Sequence, residues 1–182
     1  MKKLAFSILS FFCCACIICA GTAPSLAADE TESLIDGIVA FKLKDSGSSS
    51  VSDLARNGLS SGAGKGASEW YAIGLSAYYS GLDLSGYGST LSSFLSKNTV
   101  SSPVSRQRCA LALISCKMQN DPFVFATAKD SVGNLGIMSY IFGLELSNNG
   151  VAVSVSRDDI ISELLSLKNP DGGWSVSGGN SD

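Results

Sequence analysis

The chain contains no histidine. That one absence removes Ser-His-Asp and Cys-His nucleophilic catalysis, imidazole acid–base chemistry and His-based zinc sites together. Four of the six cysteines, Cys13, Cys14, Cys16 and Cys19, lie in an apolar N-terminal run. Cys109 and Cys116 remain, and two thiols do not complete a tetrahedral zinc site. On one helix their seven-residue spacing puts the Cα atoms about 10 Å apart, beyond the ~7 Å a disulfide spans. In "RCALALISC" they read as buried free thiols. The acidic pairs are Asp29-Glu30, near the N-terminus, and Asp158-Asp159, which opens a helix where the dipole favours carboxylates. Gly64-Lys65 suggests a phosphate loop, but Leu59 stands where the leading glycine belongs and Gly66 where a metal-binding hydroxyl belongs. The stretch "SSGAGKGAS" therefore reads as a surface linker. These residues leave no assignable catalytic, cofactor-binding or metal site, and no cofactor is expected.

The elements that position these residues begin after a leader. Lys2-Lys3, an apolar run from Leu4 to Ala20 and small residues around Ala27-Ala28 form a secretory signal pattern. Cleavage is expected after Ala27 or Ala28, giving a signal segment over residues 1–27 and one domain over 28–182. The protein is then secreted or held at the cell surface, with no membrane segment left after cleavage. Removing the leader takes away two lysines and leaves 11 cationic against 16 acidic side chains, a net charge of −5. That balance carries no footprint for nucleic acid, which calls for a basic face.

Hydrophobic period gives helices throughout. The first spans about Thr31 to Lys44, with Leu34, Ile38 and Phe41 on one stripe. A shorter piece covers Val51 to Leu59. Ser68 offers an N-cap to a helix closed by Gly81, and a fourth runs from about Tyr87 to Lys97. Pro103, after Ser102, opens a fifth at the position where proline fits best. From Asn134 to Leu146 the pattern is apolar on nearly every side, which places that helix inside. Ser156 to Asp159 caps a last helix, with Ile160, Leu164 and Leu167 on one stripe. "VAVSV" is the single strand candidate. Seven helical segments alternating between amphipathic and apolar predict an all-α chain of helical hairpins in two concentric layers.

The last helix runs into Asn169-Pro170, where the residue before proline leaves the α conformation. Pro170-Asp171-Gly172-Gly173 then supplies a turn: Asp171 bonds the backbone ahead and the glycines admit positive φ. Trp174 follows, placed to pack back over the helix ends. An EF-hand calcium loop is excluded because Leu167 occupies its first ligand position. Ser181 or Asp182 is expected to N-cap a further helix.

"LLSLKNPDGGWSVSGGNSD" resembles the repeat loop of the prenyltransferase and squalene-cyclase α/α-toroid superfamily. Asp171, Gly172, Gly173, Trp174 and Asp182 match that loop, while Lys168 replaces its usual glutamine. "SEWYAIGLSAY", "RCALALISC" and "GNLGIMSYIFGLEL" look like successive helices of secreted bacterial members, which often carry a transcobalamin-like C-terminal domain. The resemblance implies part of an α/α toroid, incomplete at its C-terminal end. Such an arc would leave the helix from Asn134 to Leu146 partly uncovered. It also implies an exported, non-catalytic module for an unknown small-molecule or surface ligand, a cobalamin-like one included. The zinc-ligand histidine of the transferases, the acidic motif of the cyclases and the Cys-Gly-Glu-Gln of thioester relatives are all missing. A truncated terpene-cyclase or prenyltransferase relative, with its catalytic residues outside this chain, is the alternative. Trp70, Tyr71, Tyr78, Tyr79, Tyr87 and Trp174 are candidates for a groove lining, most of them reading as core.

Overall fold

The computed structural model describes residues 28–176 and residue 181. The expected signal segment and Asp182 lie outside the described residues. Within them the chain is all-α, with eight α-helices and no strand. These are α1 (Ala28–Ser46), α2 (Val51–Asp53, continued by a π turn Leu54–Gly58), α3 (Ala67–Tyr78) and α4 (Ser85–Leu95). They continue as α5 (Pro103–Ser115), α6 (Pro122–Asp130), α7 (Gly136–Asn148) and α8 (Arg157–Ser166). "VAVSV" is an extended connection with Val151 buried.

Helix α6 has no counterpart among the expected segments. Asp121 caps α6 by accepting the Phe123 amide at 2.8 Å, and Pro122 occupies its first turn. This is the signal that Ser102-Pro103 gives to α5, but nine residues of "PFVFATAKD" hold too little period to stand out.

Helix α5 is the hub. It packs against α3, α4, α6 and α7, and α8 packs on α7. Its central residues Cys109, Ala110, Ala112 and Leu113 are at most 1% exposed. Thus α3, α5 and α7 lie side by side, with α6 and α8 laid against α5 and α7 as a second layer. Gln107 ties the first layer together by donating from Nε2 to the Ser139 carbonyl at 2.8 Å. The Trp70 and Phe142 rings, from the two helices flanking α5, meet at 5.7 Å.

Helix α4 packs on α2 and α5, and two glycines allow it. A Cβ at Gly86 would stand 3.3 Å from the Arg56 carbonyl oxygen, and one at Gly88 2.7 Å from Cys116 Cβ. The hydrophobic period places its start at about Tyr87, whereas the helix begins at Ser85 and takes in both glycines, which are poor helix formers. The close approach of the Arg56 backbone and of the Cys116 side chain outweighs that propensity here.

Two apolar expectations are reversed. Leu34, Ile38 and Phe41 are 52–65% exposed, while Ile35, Val39 and Leu43 face the core. Helix α7 is covered: no residue from Ile137 to Ser147 is exposed. On α8 only Ile160 is fully buried, and Leu167 is exposed. The exposed large hydrophobics therefore sit on α1, α6, α8 and the loops beside them, not on the inner helix.

Candidate functional site

The Asp-Gly-Gly-Trp turn folds as a closed clasp. Helix α8 ends at Ser166, and the Lys168 amide still reaches the Leu165 carbonyl. The Asn169 amide then donates to Gly173 O at 2.8 Å and the Gly172 amide to Asn169 O at 2.9 Å, with Gly172 at φ +95°. That φ is strained for any residue with a Cβ. Asp171 accepts the Gly173 amide at 3.1 Å and the Ser181 amide at 3.0 Å, and the Ser181 hydroxyl also donates to it. These bonds, Ser181 first, hold the Asp171 carboxyl below its usual range. Trp174 turns back over the helix and donates from Nε1 to the Leu164 carbonyl at 2.6 Å. This satisfies a carbonyl near the helix end that has no partner within the helix.

Lys168, Asp171, Gly172, Gly173 and Trp174 therefore meet in one place, as a structural turn. Lys168 lends its stem: its Cε lies 3.9 Å from where a Gly172 Cβ would be. Ser181, expected as an N-cap, spends its hydroxyl on Asp171 instead.

The second constellation was not legible in the sequence. Glu69 is fully buried, and its carboxylate gathers the linker that precedes α3. Oε1 accepts the Gly64 amide at 2.6 Å and Oε2 the Gly66 amide at 3.0 Å. Gly64 and Gly66 sit at φ +77° and +118°, which aims both amides at one point. The Tyr87 hydroxyl lies 3.2 Å from Ser68 Oγ and 3.3 Å from Glu69 Oε1. Arg108 Nε stands 3.7 Å from Oε2, an ion-pair separation too long for a hydrogen bond, and Nε has no hydrogen-bond partner among the described residues. Burial pushes the Tyr87 phenol well above its usual range, the Ser68 bond draws it partly back, and the Glu69 charge raises it further.

This arrangement corrects two readings. Gly66, not Ser68, is the N-cap of α3, and Glu69 supplies the backward bond of a capping box from the third helical position. Ser68 is buried inside the first turn and donates to the Gly62 carbonyl at 2.6 Å. Nor is "SSGAGKGAS" wholly a surface linker: Ala63 is buried, and Glu69 pins the glycines on either side of Lys65. The amides that a phosphate would need are already committed to this carboxylate.

Cys109 and Cys116 are buried free thiols. Burial pushes Cys109 up to about 12, with the Glu69 charge adding and Arg108 opposing. Burial alone pushes Cys116 to about 12. Such thiols are poor nucleophiles and poor ligands at neutral pH. Among the described residues no three His, Cys, Asp or Glu side chains converge on a possible metal position. No described helix is long and apolar enough to cross a membrane.

Of the aromatic candidates, Tyr87 is fully buried, and Trp70, Tyr71 and Tyr79 are partly buried against the core. Tyr78 and Tyr79 stack edge to face at 4.9 Å, and the Tyr78 hydroxyl reaches Glu32 on α1 at 3.3 Å. They join helices rather than line one groove. No protein-family profile, curated protein or solved structure matches the chain.

Proposed function

We propose that this chain is an exported, non-catalytic binding or surface-interaction module of the α/α-toroid type. The observation that carries this reading is the alternation along the chain. The helices α3, α5 and α7 pack side by side, and α6 and α8 each pack on the preceding one. The Asp171–Trp174 turn follows α8 and is locked to it through Trp174 and Leu164. A repeat in which one helix lines and the next covers is what an α/α arc requires. The buried Glu69 and the exposed Asp171 both spend their carboxylates on holding loops, so they support a scaffold rather than a reaction.

Export is tested by expressing the whole chain in a secretion-competent bacterium and sequencing the released protein. The expected N-terminus is Ala28 or Asp29, and cell-associated protein with residues 1–20 intact would overturn it. Binding is tested by equilibrium dialysis against cobalamin and against a prenyl diphosphate. Retention of cobalamin supports the binding-module reading. Turnover of the prenyl diphosphate would instead establish the cyclase- or transferase-like alternative.

A further inference from the structure

Helix α1 turns its bulkier apolar stripe away from the core. Leu34, Ile38 and Phe41, spaced four and three residues apart, form a ridge along its outer side. One residue earlier at each step, Ser33, Gly37 and Ala40 form a parallel groove, and all six residues are exposed. Gly37 has no explanation among the described residues. A Cβ there would meet nothing within 4 Å, its φ is not positive, and glycine in mid-helix is disfavoured relative to alanine. Its bareness makes sense where another backbone comes close.

We propose that α1 pairs antiparallel with α1 of a second copy of this chain, each ridge seated in the other's groove. Shape makes the face self-complementary, as a two-fold interface requires. About a centre between Gly37 and Ile38, Leu34 opposes the partner's Phe41, and Gly37 opposes the partner's Ile38. Charge selects the direction. Asp29, Glu30, Glu32 and Asp36 occupy the first half of α1; Lys42, Lys44 and Asp45 lie in the second, where Lys42 pairs with Asp45 at 2.6 Å and Lys44 leaves a net positive charge. An antiparallel pair sets unlike halves and opposed helix dipoles together, whereas a parallel pair sets like against like. One helix pair buries less than about 1,200 Å², the range of weak association. Dissociation is therefore expected on the order of micromolar to tens of micromolar.

The test uses protein purified from cells expressing the whole 182-residue chain. Sedimentation velocity from 1 to 200 µM should show a monomer–dimer equilibrium. Phe41→Asp and Gly37→Leu should each weaken it at least tenfold without loss of helical circular dichroism. Cysteines then read the register. Ile38→Cys should cross-link to itself under mild oxidation. Leu34→Cys alone should not, but a mixture with Phe41→Cys should. A monomer throughout, or a dimer insensitive to Phe41→Asp but broken by Leu165→Asp, would overturn the proposal. So would self-cross-linking of Leu34→Cys, or a monomer that uses α1 to bind phosphatidylglycerol vesicles.

Discussion

The Glu69 carboxylate sits 2.6 Å from the Gly64 amide and is sealed from solvent, so one acidic side chain fixes the path of the loop entering α3. Glu69→Ala would orphan the Gly64 and Gly66 amides and leave Arg108 without its counter-charge. Removing one partner of a buried ion pair costs about 3–5 kcal/mol, a large part of a single domain's stability. Urea denaturation should show the loss as a lower midpoint. Added formate, which can enter the vacated position, should recover part of it. A change below about 1 kcal/mol would mean that the loop holds without Glu69.

The Trp174–Leu164 bond closes the terminal turn. Trp174→Phe keeps most of the ring and deletes the donor, so the expected cost is about 1 kcal/mol, with premature fraying of α8 seen by amide exchange. Unchanged protection of α8 would count against the clasp.

The same turn should respond to acid. Its hydrogen bonds hold the folded-state pKa of Asp171 below the ordinary 3.8 of a free aspartate, so its contribution is fully present above that value. It is lost as pH falls through the lower, folded-state one. Trp174 fluorescence should therefore shift in acid below the ordinary carboxylate range, before global unfolding. Asp171→Asn should abolish that step. A step retained in Asp171→Asn would assign it to another carboxylate.

Burial and a pKa pushed up to about 12 keep Cys109 and Cys116 protonated at neutral pH. A maleimide should label neither thiol in the native protein and both in denaturant. Labelling of the folded state within minutes would show that α5 opens or that the thiols are accessible.

Gly88 faces the Cys116 side chain at the C-terminal end of α5, where a Cβ would approach Cys116 Cβ to 2.7 Å and Met118 Sδ to 2.8 Å. Gly88→Ala gains helix propensity of about 1 kcal/mol. It should nonetheless destabilise, because overpacking costs about 1–3 kcal/mol. Calorimetry should show a melting temperature unchanged or lowered, and a clear rise would mean that α4 can move outward freely.

The sequence by itself determined the helical class, the starts of α5 and α8 at Ser102 and Ser156, the buried thiols and the terminal turn. Each is a local matter. A cap accepts an amide three residues on, a proline forbids α at the residue before it, and an apolar run excludes water whatever surrounds it. Tertiary structure alone decided which face of α1 is buried, because both stripes are apolar and only packing against α2 and α3 chooses between them. It also decided the role of Glu69, whose partners Gly64, Gly66, Tyr87 and Arg108 span more than forty residues and come together only when α3, α4 and α5 dock. Gly86 and Gly88 show the same division. Their composition argues against a helix, and the closeness of the Arg56 backbone to one and of the Cys116 and Met118 side chains to the other, invisible in the sequence, makes them the residues that let α4 form where it does.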